Sequence, residues 1–151
     1  MADFYMDFPE DFLSDLLQTD ADDICRKALE EAAPLLENCM KDTLREDNHE
    51  LSGELIKSIK AKKPTKARNG AWMVHVRPTG YSAINSYSVK GKGNSVRKYK
   101  VSNALKMIWI EYGVNGRQPA RPFLTRTVNE VRSASMQRMQ EVYNRMAGVG
   151  K

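Results

Sequence analysis

Two different spacings of apolar residues follow one another along this chain, and together they restrict the folds open to it. From Ile24 to Leu44, the residues Ile24, Ala28, Leu29, Ala32, Leu35, Leu36, Cys39, Met40, Thr43 and Leu44 recur every three or four positions. That is the period of one helix face. At Trp72, Val74 and Val76 the period falls to two, with Met73, His75 and Arg77 between, the mark of a half-buried strand with His75 facing outward. Helical spacing then returns after Ser102. Helices interrupted by a few strands predict an α+β fold: helices packed on a small antiparallel sheet, with a β-hairpin and a long C-terminal helix.

The punctuation residues place the elements. An N-terminal acidic arm, residues 1–18, carries Phe4 and Phe8 and a short helix beginning near Pro9, with Phe12, Leu13, Leu16 and Leu17 as its stripe. That stripe can pack on its own domain or dock on a neighbouring copy. Residues 19–147 read as one α+β domain. Its first helix should run from about residue 20 to Arg45 and kink at Pro34, where a backbone hydrogen bond is lost. Leu51, Leu55 and Ile59 predict a short helix that Ser52 can cap. Residues 60–70 hold Pro64 and read as a loop or a weak edge strand.

Strands over 81–89 and 96–101 flank Gly91-Lys92-Gly93-Asn94, a strong turn. Ser102 can cap a helix whose stripe is Leu105, Ile108, Trp109 and Tyr112, with Gly113 as its left-handed stop. Pro122 suits the first turn of the last helix. The stripe there is Phe123, Leu124, Val128, Val131, Met139, Val142 and Met146. Residues 148–151 read as a frayed end.

Charge is distributed as unevenly as hydropathy. Residues 1–50 hold fifteen Asp/Glu against four Lys/Arg, and residues 51–151 hold four against twenty. No acid lies between Glu54 and Glu111. The basic part can bind nucleic acid, the acidic part can fold back on it, or the acidic surface of one copy can meet the basic surface of the next. The last arrangement is heterologous, and it closes into a ring when the rotation permits.

Little points to catalysis. His49 and His75 stand without a surrounding motif, Gly91-Lys92-Gly93 lacks phosphate-loop spacing, and the central part has almost no carboxylates to pair. The sequence predicts no enzyme, no catalytic or metal-binding residue and no cofactor. Cys25 and Cys39 would sit ~21 Å apart along one helix, too far for a disulfide. No apolar run approaches the ~18 residues of a membrane span, and the acidic N-terminus does not look like a secretory signal, so a soluble intracellular protein is expected.

Three ordered segments carry a resemblance. The first is Leu51-Ser52-Gly53-Glu54-Leu55-Ile56-Lys57-Ser58-Ile59. The second is Ser102-Asn103-Ala104 running into Trp109-Ile110-Glu111-Tyr112-Gly113. The third is Pro119-Ala120-Arg121-Pro122-Phe123-Leu124 before a long helix. Together they resemble the tail-component family of long-tailed, siphovirus-type phages, over roughly residues 20–146. Ser52 stands where that family usually has threonine. The arm and the long hairpin lie outside the pattern.

The resemblance implies a virion structural protein of the neck or the head-proximal tail end, made in the host cytoplasm. It would join head to tail, or complete the tail, as a ring that is six-fold like other such rings. Its partners would be itself, neighbouring neck and tail proteins, and DNA in the channel through non-specific contact. Motif positions Gly53, Leu55, Ser58, Ile59, Glu111, Tyr112, Gly113, Arg121, Pro122 and Phe123 are then structural.

The charge pattern adds an expected subunit interface. Phe4, Phe8, Phe12 and Leu16 of one copy would meet Lys90, Lys92, Arg97, Lys98 and Lys100 of the next. The alternative is a DNA-binding accessory protein using the basic 90–100 hairpin. One pairing is also expected within the chain. Arg121 lies near the positive end of a helix, where a cation is disfavoured, and Glu111 is the only acid between Glu54 and Glu130, so the two should pair.

Overall fold

The computed structural model describes residues 21–47 and 53–148. The arm with Phe4, Phe8, Phe12 and Leu16, the break at 48–50, the capping position Ser52 and the last three residues lie outside the described residues. The elements are α1 (Ala21–Glu46), α2 (Glu54–Ser58), β1 (Ile59–Ala61), β2 (Thr65–Lys66), β3 (Trp72–Met73), β4 (Val76–Pro78), β5 (Tyr81–Lys90), β6 (Val96–Ser102), α3 (Asn103–Tyr112) and α4 (Leu124–Ala147). The fold is α+β, with three two-stranded antiparallel ladders among the described residues and a long C-terminal helix.

The two long helices lie antiparallel. Asp47 of the chain just past α1 pairs with Arg126 at 2.6 Å, Cys39 Sγ donates to the Thr127 carbonyl at 3.7 Å, and Glu31 pairs with Arg138 at 2.9 Å and with Arg145. Rising numbers on α1 thus meet falling numbers on α4. Ala28, Ala32 and Ala33 are buried on α1, and Val131 and Val142 on α4. Small side chains let two helix backbones approach closely. α1 runs on as one helix through Pro34, which is exposed.

At the other end Met40 and Leu44 join Leu55, Ile56, Ile59, Ile110 and Phe123 in one core cluster, with Val76, Met107 and Leu124 against it. All three motif segments therefore converge on the same interior. Gly53 begins α2 with φ 62°, a left-handed conformation that costs glycine nothing. Ser58 Oγ donates to the Leu55 carbonyl at 2.7 Å. The Ser58 carbonyl accepts from Thr79 N at 2.9 Å and Thr79 Oγ1 at 3.1 Å.

The strand expected over 72–76 is divided. β1 pairs with β4 and β2 with β3, so that 59–66 and 72–78 form one interrupted hairpin. Pro64 lies between β1 and β2 and has no N–H to give the ladder, and only the Lys62 N–H to His75 carbonyl bond, 2.9 Å, spans the gap. The alternation itself stands: Trp72, Val74 and Val76 are half-buried while Met73, His75 and Arg77 are exposed. Trp72 Nε1 donates to Asp22 at 3.0 Å and the Ala61 N–H to Glu37 at 2.7 Å, which ties this ribbon to α1.

Two further expectations are corrected. The α3 stripe Leu105, Ile108, Trp109 and Tyr112 faces away from the core, and Asn103, Met107, Ile110 and Glu111 face it. The last helix begins at Leu124 with Phe123 in the capping position, so Pro122 precedes the first turn.

Candidate interaction surface

The β5–β6 ribbon stands out from this body. Its pairs are Ser86 with Lys100, Tyr87 with Tyr99, Ser88 with Lys98, Val89 with Arg97 and Lys90 with Val96. Side chains alternate across a ladder, so this register sorts the hairpin into two faces. Tyr87, Val89, Arg97 and Tyr99 share one face, with the tyrosine rings stacked at 5.7 Å and 27°. Ser86, Ser88, Lys90, Val96, Lys98 and Lys100 share the other. The five cations expected to act together are thereby separated: Lys90, Lys98 and Lys100 lie on one side, Arg97 joins the tyrosines, and Lys92 sits in the tip.

Both faces are open to solvent. Every residue from Ala83 to Lys90 and from Val96 to Lys100 is exposed. These include large apolar side chains, with Ile84 72% and Val96 62% exposed. Val89, Arg97 and Tyr99, with Gly91, Lys92 and Ser95, line an open hollow of about 330 Å³. Residues 81–102 carry five cations and no acid.

The ribbon is aimed from its base. Ser82 has no exposed surface, and its Oγ donates to Glu54 at 2.9 Å while accepting from Lys106 Nζ at 2.7 Å and from the Ile84 and Asn85 N–H groups at 3.2 and 3.0 Å. Glu54 also accepts from the Ala83 N–H at 3.1 Å and from Lys106 at 3.2 Å. The Ser82 hydroxyl, then the Ala83 amide and then Lys106 hold the Glu54 carboxyl below the usual glutamate range. A serine beside a lysine is a combination that can attack an acyl group, but Ser82 is sealed and its oxygen already has four partners. The cluster is a clasp joining α2, β5 and α3 across the irregularity in the β5 ladder between Tyr81 and Ser86.

Sequence reasoning missed Glu54, Ser82 and Lys106. The available signal was Glu54's position as the last acid before a long acid-free stretch.

Glu111 does a different job from the one expected. Its Oε2 accepts from the Phe123 N–H at 2.9 Å and the Leu124 N–H at 3.1 Å, and among the described residues it forms no ion pair with Arg121. A helix start leaves N–H groups without intrahelical acceptors. Phe123 has no oxygen to offer them, so the carboxylate of α3 caps α4 instead. Arg121 is exposed, and its N–H donates to the Ile110 carbonyl at 2.8 Å. Gly113 has φ 75°, and a β-carbon there would lie 2.6 Å from Ala120 N and 2.8 Å from the Gln118 carbonyl oxygen. Tyr112 is 73% exposed beside it.

Burial pushes the thiols of Cys25 and Cys39 up, and both are free. No three potential metal ligands gather among the described residues, and no helix there is long and apolar enough to cross a membrane. No family model, curated protein or solved structure matches the chain.

Proposed function

We propose that this chain is a virion structural protein of the neck or head-proximal tail end of a long-tailed phage. Copies associate through unlike faces into a ring that joins head to tail or completes the tail. The observation that carries the association is the β5–β6 ribbon, which exposes Tyr81, Ile84, Tyr87, Val89, Val96 and Tyr99. A lone two-stranded ribbon is marginal in water, and apolar patches of this kind mark contact surfaces. The acidic first fifty residues of one copy supply the complementary charge for the basic hairpin of the next, which steers their encounter. The phage assignment rests on the three ordered motif segments, whose side chains Leu55, Ile59, Ile110 and Phe123 share one core.

Mass in solution tests the association. The full chain should form a discrete multimer at low salt and shift toward smaller species at high salt. Deleting residues 1–18 should impair ring formation. A protein that stays monomeric with its own purified neck and tail neighbours would rule the reading out.

A second reading is favoured by the basic face. Lys90, Lys98 and Lys100 lie on one side with Ser86 and Ser88, a surface suited to phosphates. DNA affinity through this face should fall steeply with salt, and the Lys98→Glu, Lys100→Glu double variant should abolish it.

A further inference from the structure

The face of α3 that points away from the core is apolar and open. Leu105, Ile108, Trp109 and Tyr112 stand at i, i+3, i+4 and i+7 and so form one side of the helix. Ile108 is 49% exposed, and Leu105 and Trp109 are half-buried beside it and Tyr112. Tyr112 continues into an open hollow of about 530 Å³ that it shares with Val114, Arg117 and Pro119. The surroundings are cationic: Arg117 lines the hollow and Arg121 is exposed just beyond it, while Glu111 is buried on the opposite side of α3 and Glu54 is held by Ser82 and Lys106. A tryptophan and a tyrosine at the centre of an open patch are the residue types that most often anchor a protein contact.

The occupant should be apolar at helical spacing and acidic around it. Residues 1–20 have that make-up, with Phe12, Leu13, Leu16 and Leu17 as the stripe, six Asp/Glu and no Lys/Arg. The reach of the chain decides whose arm it is. Ile110 of α3 packs in the cluster with Met40 and Leu44, and Met40 lies nineteen residues along α1 from Ala21, a distance of ~28 Å at ~1.5 Å per residue. Leu17 is four residues before Ala21 and can stand at most ~14 Å from it. A helical stretch back to Phe12 adds only ~8 Å. A stripe held at helical spacing, the form this face calls for, therefore falls short of the end of α1 where α3 packs in its own chain.

We propose that the open face of α3 is the seat for residues 12–17 of a second copy, with the acids of that arm over Arg117 and Arg121. The proposal rests on the association of copies inferred above, and it is independent of the phage assignment. It narrows that association to two contacts: the arm's stripe on α3, and the hairpin against the acidic surface of α1.

Mixed cross-linking of full-length chains tests it. In a background with Cys25→Ala and Cys39→Ala, one protein carries Leu16→Cys and another Ile108→Cys, and the two are mixed and mildly oxidised. A mixed disulfide dimer should form on the order of tenfold faster than between the Leu16→Cys chain and one carrying Tyr99→Cys on the hairpin, following the difference in local concentration. Ile108 and Tyr112 are exposed, so Tyr112→Glu should leave the fold intact and remove the cross-link. If chains assemble but Leu16→Cys joins Tyr99→Cys in preference to Ile108→Cys, the arm sits on the hairpin; the α3 seat is then wrong and the association stands. If the chains remain monomeric at every salt concentration, both fail.

Discussion

At the junction of α1, α2 and α4, Leu44, Ile59 and Phe123 lose all contact with water, whereas beyond Ser82 the β5–β6 ribbon buries only Val101. The body holds its shape by burial, by ion pairs between α1 and α4, and by the Glu111 cap. The ribbon holds its shape by its own ladder, one tyrosine stack and the clasp at Glu54. The body thus closes its core within one chain, and the ribbon, like the outer face of α3, presents contacts that a second molecule can complete. The charges follow the same division: acids and bases meet across α1 and α4, while the ribbon is purely cationic.

Substitutions sharpen the contrast. The largest effect is expected at Phe123. Phe123→Ala should cost about 3–5 kcal/mol in urea unfolding, while Tyr99→Ala, out on the ribbon, should cost under about 1 kcal/mol yet impair assembly. A larger loss of monomer stability at Tyr99 than at Phe123 would break the comparison.

Two glycines with similar φ but different ψ give the next test. Gly113 and Gly93 have φ of 75° and 77°, but ψ is 177° at Gly113, a region nearly closed to side chains, and 36° at Gly93, and only at Gly113 would a β-carbon strike backbone atoms. Gly113→Ala should cost about 2–4 kcal/mol, and Gly93→Ala about 1 kcal/mol, the strain alone. Equal losses would mean that the loop after α3 is no more constrained than the hairpin tip.

Glu111→Ala leaves two N–H groups at the start of α4 without their acceptor, a loss of about 1–3 kcal/mol. Glu111→Gln keeps an oxygen in place and should lose less. Arg121→Met should leave folding as it is, since Arg121 is not the partner of Glu111.

The smallest effect is a pH dependence. Glu54 has its folded-state value below the ordinary 4.5 because of the Ser82 hydroxyl, the Ala83 amide and Lys106. A carboxyl lowered on folding stabilises the folded form fully above its ordinary value, and that contribution disappears as pH falls through the lowered one. Acidification below 4.5 should therefore loosen the clasp, with amide-exchange protection at Ala83 falling before that at Leu44. Simultaneous loss at both positions would show that the ribbon and the body open as one unit.

Much of the fold is legible in local chemistry. The hairpin expected over 81–101 spans Tyr81–Ser102 around the glycine turn, and Ser102 caps α3 by accepting the Leu105 N–H at 3.1 Å. The expectation failed where two answers were locally equivalent. α3 is apolar on opposite sides, so its period reveals a stripe but not which stripe lies inside. Glu111 was read by proximity of charge, although unsatisfied N–H groups at a helix start compete for the same carboxylate. The candidate surface was legible as a set of cations and tyrosines, and not as two faces, because a shift of one residue in register would exchange the faces.

The order of letters alone determined which segments become helix, ribbon or turn, and where charge of each sign accumulates. Those properties depend on neighbours a few residues apart. The inward side of α3, the clasp at Ser82, the cap on α4 and the separation of the hairpin cations were decided only in three dimensions. Each depends on groups far apart in the chain, such as Leu44 with Phe123 or Glu54 with Lys106, that meet only when the core closes.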